Sequence, residues 1–112
     1  MRPDLERGLD LFNTREYYAC HDWLEDAWMF EVAPRRRFLQ SIIHYAVACY
    51  HQEHGNAIGA IRQLQKGLDK LGPYRPDFEG VDTERLYIDG EKLLASIEAG
   101  SATEDFPRIH TR

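Results

Sequence analysis

Hydrophobic residues recur along this chain at intervals of three and four, the spacing typical of amphipathic helices. No segment shows the period-two alternation that indicates a half-buried strand. Thr14 and Asn56 are predicted to cap the starts of two helices, and Gly55 to end the helix before it. The pattern predicts five helices, at about residues 3–12, 14–31, 34–54, 57–71 and 83–97.

Five helices with short connections predict an all-α fold, arranged as a five-helix array. Small residues at packing positions, Cys20 and Ala27 in the second helix and Ala60 and Gly67 in the fourth, favour helical hairpins of tetratricopeptide-like packing. The matching stretches of the second and fourth helices lie about 40 residues apart, whereas a tetratricopeptide repeat has about 34 residues. This spacing favours related packing over a true repeat array.

The domain boundary is predicted from the polar character of the C-terminal stretch. Residues 1–99 form a single helical domain, and residues 100–112 form a tail with only Phe106 and Ile109 to hold it. We expect this tail to be partly mobile.

Composition narrows the functional classes. The chain has 112 residues, 43% of them hydrophobic, and a net charge of −5, which gives no general attraction to nucleic acid or to an anionic membrane. No apolar run is long enough for a membrane span, and no secretory signal is visible, so a cytoplasmic location is expected. Cys20 and Cys49 lie in apolar helical stretches and are expected to be buried thiols.

The second helix carries the most concentrated chemistry, in the stretch CHDWLEDAW. On a helical wheel His21, Glu25 and Trp28 fall within about 60° of one another, on a stripe that also carries Tyr17 and Leu24. We therefore expect the histidine and the glutamate to face inward among apolar side chains, where a charged pair needs compensation.

A second apolar face of this helix carries Trp23 and Phe30. A helix with two apolar faces either lies between two neighbours or presents one face to another chain. Trp23 and Phe30 are therefore candidates for a homodimer contact or for a protein partner.

The third helix is mostly apolar with one narrow polar stripe, formed by Arg37, Gln40, His44 and His51. If the second and third helices form an antiparallel hairpin, this stripe is expected to meet His21 and Glu25. Arg37 is then placed to reach Glu25, and the Ser41 hydroxyl could face the pair.

Two interpretations of the cluster follow. Positions i and i+4 of a helix suit two ligands of one metal ion, so His21 and Glu25, completed by His44 or His51, would bind zinc, nickel, manganese or iron. Alternatively the histidine and glutamate, with the Trp28 indole, form a structural polar cluster that fixes helix register. A metal-dependent hydrolase is a further alternative, although no nucleophile motif accompanies the pair.

The residues quoted above also carry a resemblance. YYACHDWLEDAW, followed by RRRFLQSIIHYAVACYHQEHGNAIGAIRQL, resembles a bacterial and archaeal family known as domain-of-unknown-function family 309. Its pattern H-x-x-x-E-x-x-W/Y is matched by His21, Glu25 and Trp28, over a similarity spanning residues 5–95. The chain departs from the family at Ser41, where glycine is expected. The resemblance implies metal binding through His21 and Glu25, and no reaction.

Overall fold

The computed structural model describes residues 1–112 and confirms an all-α fold of five helices. A short 3-10 turn, Gly72–Tyr74, extends the end of the fourth helix. None of the five helices combines the length and the apolar character that a membrane span requires. The helices are α1 (Pro3–Asn13), α2 (Tyr17–Met29), α3 (Arg35–Glu53), α4 (Ala57–Leu71) and α5 (Thr83–Glu98).

The helix ends follow local side-chain chemistry where the sequence supplies it. Asn56 accepts a hydrogen bond from the Gly59 amide at the start of α4, and Asp82 accepts one from the Arg85 amide at the start of α5. Gly55 adopts a left-handed φ of +74°, as predicted for the residue after α3. Thr14 does not cap α2 as predicted, because α2 begins only at Tyr17. The Thr14 hydroxyl contacts the Asp10 and Leu11 carbonyls of α1 and the Glu16 carboxylate.

Each helix packs on the next along the chain, and α3 packs on both α2 and α4. Tyr45 of α3 is fully buried and donates a hydrogen bond to the Leu86 carbonyl of α5, 2.9 Å away. Gly67 of α4 and Gly90 of α5 pack directly against the Tyr45 ring, since a Cβ on either glycine would overlap it. Three helices therefore meet at one aromatic side chain.

The C-terminal tail is held at the two residues that the sequence singled out. Phe106 and Ile109 are buried, and the Asn13 side chain at the end of α1 exchanges two hydrogen bonds with the Ile109 backbone. A β-bridge joins Val81 and Thr111 beyond these anchors. Partial mobility of residues 100–112 stays a prediction.

Both cysteines are buried and free, as expected. The Cys20 thiol donates to the Gly8 carbonyl of α1 at 3.3 Å, and burial raises the pKa of both thiols to about 12. Neither thiol is therefore placed for nucleophilic or ligand chemistry at neutral pH.

Candidate functional site

The His21–Glu25 pair forms in the structure, but at a different depth from the one predicted. The inward face of α2 is formed by Tyr17, Cys20 and Leu24, which are buried. His21 and Glu25 lie at the edge of this face, with 27% and 47% of their side chains exposed. The expectation that the pair sits in the middle of the buried stripe was wrong.

A helical wheel could not show which side of α2 is buried, because this helix carries aromatic or apolar residues around most of its circumference. Contacts outside the helix decide which side is buried. The Tyr17 ring packs edge-on against Phe12 of α1 and Phe106 of the tail, at centroid distances of 5.2 and 5.8 Å. These contacts turn Tyr17 toward the core and away from His21, so Tyr17 is not part of the polar cluster.

The geometry of the pair is that of a close contact along one helix. Nε2 of His21 lies 2.7 Å from Oε2 of Glu25, one turn further along α2. Nδ1 of His21 is buried and has no hydrogen-bond partner, although the Asp22 carboxylate comes within 3.2 Å of it. The imidazole therefore lies between two carboxylates of its own helix and forms no ion pair with α3.

Trp28, the third residue of the motif, is half-buried beside the pair. The Arg36 guanidinium lies over its indole ring, 4.1 Å from the centroid, in a cation–π contact. The indole Nε1 is buried and has no hydrogen-bond partner. The cluster thus joins α2 to the start of α3 through Arg36, a contact that the sequence analysis did not anticipate.

The polar stripe of α3 meets α4 and not the His21–Glu25 pair. Nδ1 of His44 lies 2.7 Å from Oε1 of Gln63 on α4. Burial lowers the pKa of His44, since the hydrogen bond to Gln63 only partly offsets the loss of solvation. His51 contacts the Asn56 amide at the α3–α4 turn, 3.4 Å away.

The two remaining members of the predicted stripe form no hydrogen bond or ion pair with His21 or Glu25. Arg37 approaches Asp69 of α4 at 3.6 Å and does not reach Glu25. Gln40 is half-buried and its side chain makes no hydrogen bond. The hairpin of α2 and α3 exists, but α3 is rotated so that its polar stripe turns toward α4.

A metal ion needs more donors than the His21–Glu25 pair supplies. A zinc site takes at least three protein ligands, and no group of three or more His, Cys, Asp or Glu side chains is arranged to hold a metal ion. His21 and Glu25 come together, whereas His44 and His51 do not join them. The residues present therefore do not fit the metal site that the family resemblance implies.

Ser41, the hydroxyl considered for catalysis, is fully buried and donates to the Phe38 carbonyl of its own helix at 2.6 Å. Four surface clefts of about 240 to 450 Å³ are each lined in part by residues of the tail. His21 and Glu25 line none of these four clefts. Neither Ser41 nor any of these four clefts is therefore placed beside the pair.

A second polar cluster is centred on Arg35, whose contacts with Asp4 and Glu79 the sequence analysis did not anticipate. Only 6% of the Arg35 side chain is exposed, and it contacts three carboxylates from three parts of the chain. Nη1 lies 2.9 Å from Glu31, Nη2 lies 3.2 Å from Asp4, and Nε lies 2.9 Å from Glu79. We call these four residues the Arg35 clasp.

The clasp perturbs the acid–base behaviour of its members. Burial alone would lower the pKa of Arg35, but its hydrogen bonds to the carboxylates outweigh burial and raise it. Burial would likewise raise the pKa of Asp4, but hydrogen bonds from Arg35 and the Leu5 amide lower it overall. The hydrogen bond from Arg35 also lowers the pKa of Glu31. Only the i, i+4 spacing of Glu31 and Arg35 is visible in the sequence.

The apolar residues predicted as a contact surface separate into two kinds. Trp23 is partly covered, because its indole Nε1 donates to the Asp4 carbonyl at 2.7 Å and ties α2 to α1. Phe30 is 88% exposed, and its neighbours Met29 and Val32 are 57% and 71% exposed. We call Met29, Phe30 and Val32 the apolar corner. The sequence analysis identified only Phe30 of this corner.

The apolar corner lies at the turn between α2 and α3, whose backbone is anchored by contacts with other parts of the chain. Glu31, between Phe30 and Val32, is bound by Arg35 at 2.9 Å and by Arg2 at 3.0 Å. The Pro34 carbonyl accepts a hydrogen bond from the Tyr74 hydroxyl. Three exposed apolar side chains are therefore presented on a backbone that the rest of the fold fixes in place.

Comparison with known proteins identifies a family but no reaction. Residues 5–63 match the family model described as domain of unknown function (DUF309). The uncharacterized protein YpuF of Bacillus subtilis (strain 168) is 33% identical over 92 residues, which cover 80% of this chain and 53% of that protein.

An uncharacterized protein of Aquifex aeolicus (strain VF5) is 22% identical over 94 residues, covering 83% of this chain and 28% of that protein. The chain thus spans about half the length of one relative and about a quarter of the other. On the match to its family model, the chain belongs to the DUF309 family.

Proposed function

We propose that this chain is a helical protein-interaction module that binds its partner through the apolar corner, Met29, Phe30 and Val32. The observation that carries the proposal is the 88% exposure of Phe30 on a turn fixed by the Arg35 clasp. Aromatic side chains in the centre of an interface contribute much of its binding energy. A side chain held in place before binding also loses less conformational entropy on association.

In this proposal the His21–Glu25–Trp28 cluster is structural. It supports the end of α2 that leads into the apolar corner. Trp28 directly precedes Met29, and the Arg36 guanidinium of α3 covers its indole ring. The metal and hydrolase interpretations receive less support from the geometry. They need a third donor or a nucleophile beside His21, and His44, His51 and Ser41 are all engaged elsewhere.

A photo-crosslinking experiment tests the proposal. Benzoylphenylalanine is placed at position 32 of the full chain, expressed in its native host cells, and irradiated. We expect one discrete adduct, which is identified by mass spectrometry and then reproduced with the purified partner. The same probe at Ala99, an exposed position just after α5, is the matched control. Equal adduct formation at positions 32 and 99, or none at 32, would overturn the proposal.

A further inference from the structure

The charges of α2 are of one sign. This helix carries Asp22, Glu25 and Asp26 and contains no lysine or arginine. None of the three carboxylates forms an ion pair with a lysine or arginine elsewhere in the chain, and the only ion-pair contacts at these positions are those with His21. The exposed side of α2 therefore presents negative charge that the fold does not neutralise.

The charges of α4 have the opposite sign. Arg62, Lys66 and Lys70 follow one another at intervals of four, and none forms an ion pair with a carboxylate. The single acid of this helix, Asp69, already faces Arg37 at 3.6 Å. Arg62 and Lys66 are exposed, so α4 presents a positive ridge on the other flank of α3.

The two surfaces match in register as well as in charge. On α2 the exposed residues Asp22 and Met29 and the half-exposed Glu25 follow one another with spacings of three and four. On α4 the exposed residues Ile58, Arg62 and Lys66 follow at spacings of four. With the helices antiparallel, apolar residues meet apolar and acids meet bases, in the pairs Met29 with Ile58, Glu25 with Arg62 and Asp22 with Lys66.

We propose that α2 of one copy of this chain packs antiparallel against α4 of a second copy. The two surfaces are different, so each copy in a pair keeps one free α2 and one free α4. Such a heterologous contact leads to head-to-tail assembly, as a ring or an open chain of copies. The inference builds on the proposed role as an interaction module, since it names a second copy as one partner. It shares Met29 with the apolar corner but uses neither Phe30 nor Val32.

The strength of the contact follows from its exposed position. Solvent-exposed ion pairs each contribute little to association and are screened by salt. The assembly is therefore weak, grows with protein concentration and dissociates at high ionic strength. Reversing two charges on one surface turns two attractions into repulsions and is expected to weaken association by about tenfold or more.

Charge exchange between the two surfaces provides the test. Sedimentation equilibrium is run at low and high salt on the unaltered chain, on Asp22→Lys/Glu25→Lys, on Arg62→Glu/Lys66→Glu, and on an equimolar mixture of the two variants. We expect salt-sensitive association of the unaltered chain, monomers for each variant alone, and restored association in the mixture. A monomeric unaltered chain at low salt, or a mixture that stays monomeric, would overturn the inference.

Matched controls separate this contact from general attraction between oppositely altered proteins. Glu91→Lys/Glu98→Lys and Arg7→Glu/Lys92→Glu reverse the same number of exposed charges away from α2 and α4. Each control is expected to associate as the unaltered chain does, and loss of association in both would overturn the assignment to these surfaces. A monomeric chain that still crosslinks to another protein from position 32 would reject this inference and leave the proposed function standing.

Discussion

Nε2 of His21 lies 2.7 Å from Oε2 of Glu25 along one face of α2, and neither His44 nor His51 approaches the pair. The residues of the family motif thus form a local contact at the edge of the core. A third donor from His44 or His51 would have completed the predicted metal centre. An incomplete set, with Trp28 covered by Arg36, makes a link between α2 and α3.

The first prediction concerns metal binding at this pair. Zinc is titrated into the protein without an affinity tag and followed by calorimetry. We expect His21→Ala to bind zinc as strongly as the unaltered protein does, because two donors are fewer than a zinc site requires. The exposed His54→Ala is the matched control. A loss of affinity of about tenfold or more in His21→Ala alone would show that the pair holds a metal.

The second prediction concerns the Arg35 clasp. Replacing Arg35 by methionine leaves Asp4, Glu31 and Glu79 together without their shared cation. We expect the free energy of unfolding, measured in urea, to fall by about 2 kcal/mol, because three partly exposed carboxylates lose charged hydrogen bonds from one buried cation. Arg37→Met is the control, since Arg37 is half-exposed and 3.6 Å from Asp69. It should cost less than about 0.5 kcal/mol. Equal losses would contradict the assigned role of the clasp.

The third prediction is a loss of stability in acid. The pKa values of Asp4 and Glu31 in the folded protein lie below their ordinary values of 3.8 and 4.5. The unfolded chain therefore takes up protons first as the pH falls, and unfolding becomes more favourable. The stabilisation is fully present above about pH 4.5 and is lost as the pH falls through the lowered values.

Urea unfolding between pH 6 and pH 3 measures this slope. In Arg35→Met the two carboxylates no longer have the guanidinium that lowers their pKa, so the slope should become shallower. An unchanged slope would show that other carboxylates control the acid response.

The fourth prediction concerns His44, whose pKa is lowered by burial below its ordinary value of 6.5. The folded protein holds this histidine neutral, while the unfolded chain protonates it. Stability is therefore present above pH 6.5 and declines as the pH falls below that value. His44→Gln should reduce the decline between pH 7.5 and pH 5.5 in urea unfolding, and the exposed His54→Gln should not. A decline that His44→Gln leaves unchanged would contradict the prediction.

Much of the fold could be predicted because its signals are local. Asn56 and Asp82 cap the helices that begin directly after them, and the apolar spacing of α4 defines its length. The family resemblance, read from His21, Glu25 and Trp28, is confirmed by the family model. These features depend on residues within a few positions of one another.

The site could not be predicted to the same extent because long-range packing decides it. Phe106, nearly ninety positions after Tyr17, helps to fix which side of α2 is buried. His44 turns toward Gln63 of α4, and periodicity alone cannot say which neighbour a polar stripe will meet. Arg35 forms ion pairs with Asp4 and Glu79, which lie in distant segments of the chain, and no spacing in the sequence reveals these contacts.

The central claim is that the chain works through contact at the apolar corner and not through chemistry at His21 and Glu25. The most direct measurement is the yield of the crosslinked adduct from position 32 in two further backgrounds, Phe30→Ser and His21→Asn, with folding checked by circular dichroism. The account predicts that Phe30→Ser reduces the yield by about tenfold or more, as expected for a central aromatic contact, while His21→Asn leaves it unchanged. A yield that falls with His21→Asn and persists with Phe30→Ser would contradict the account.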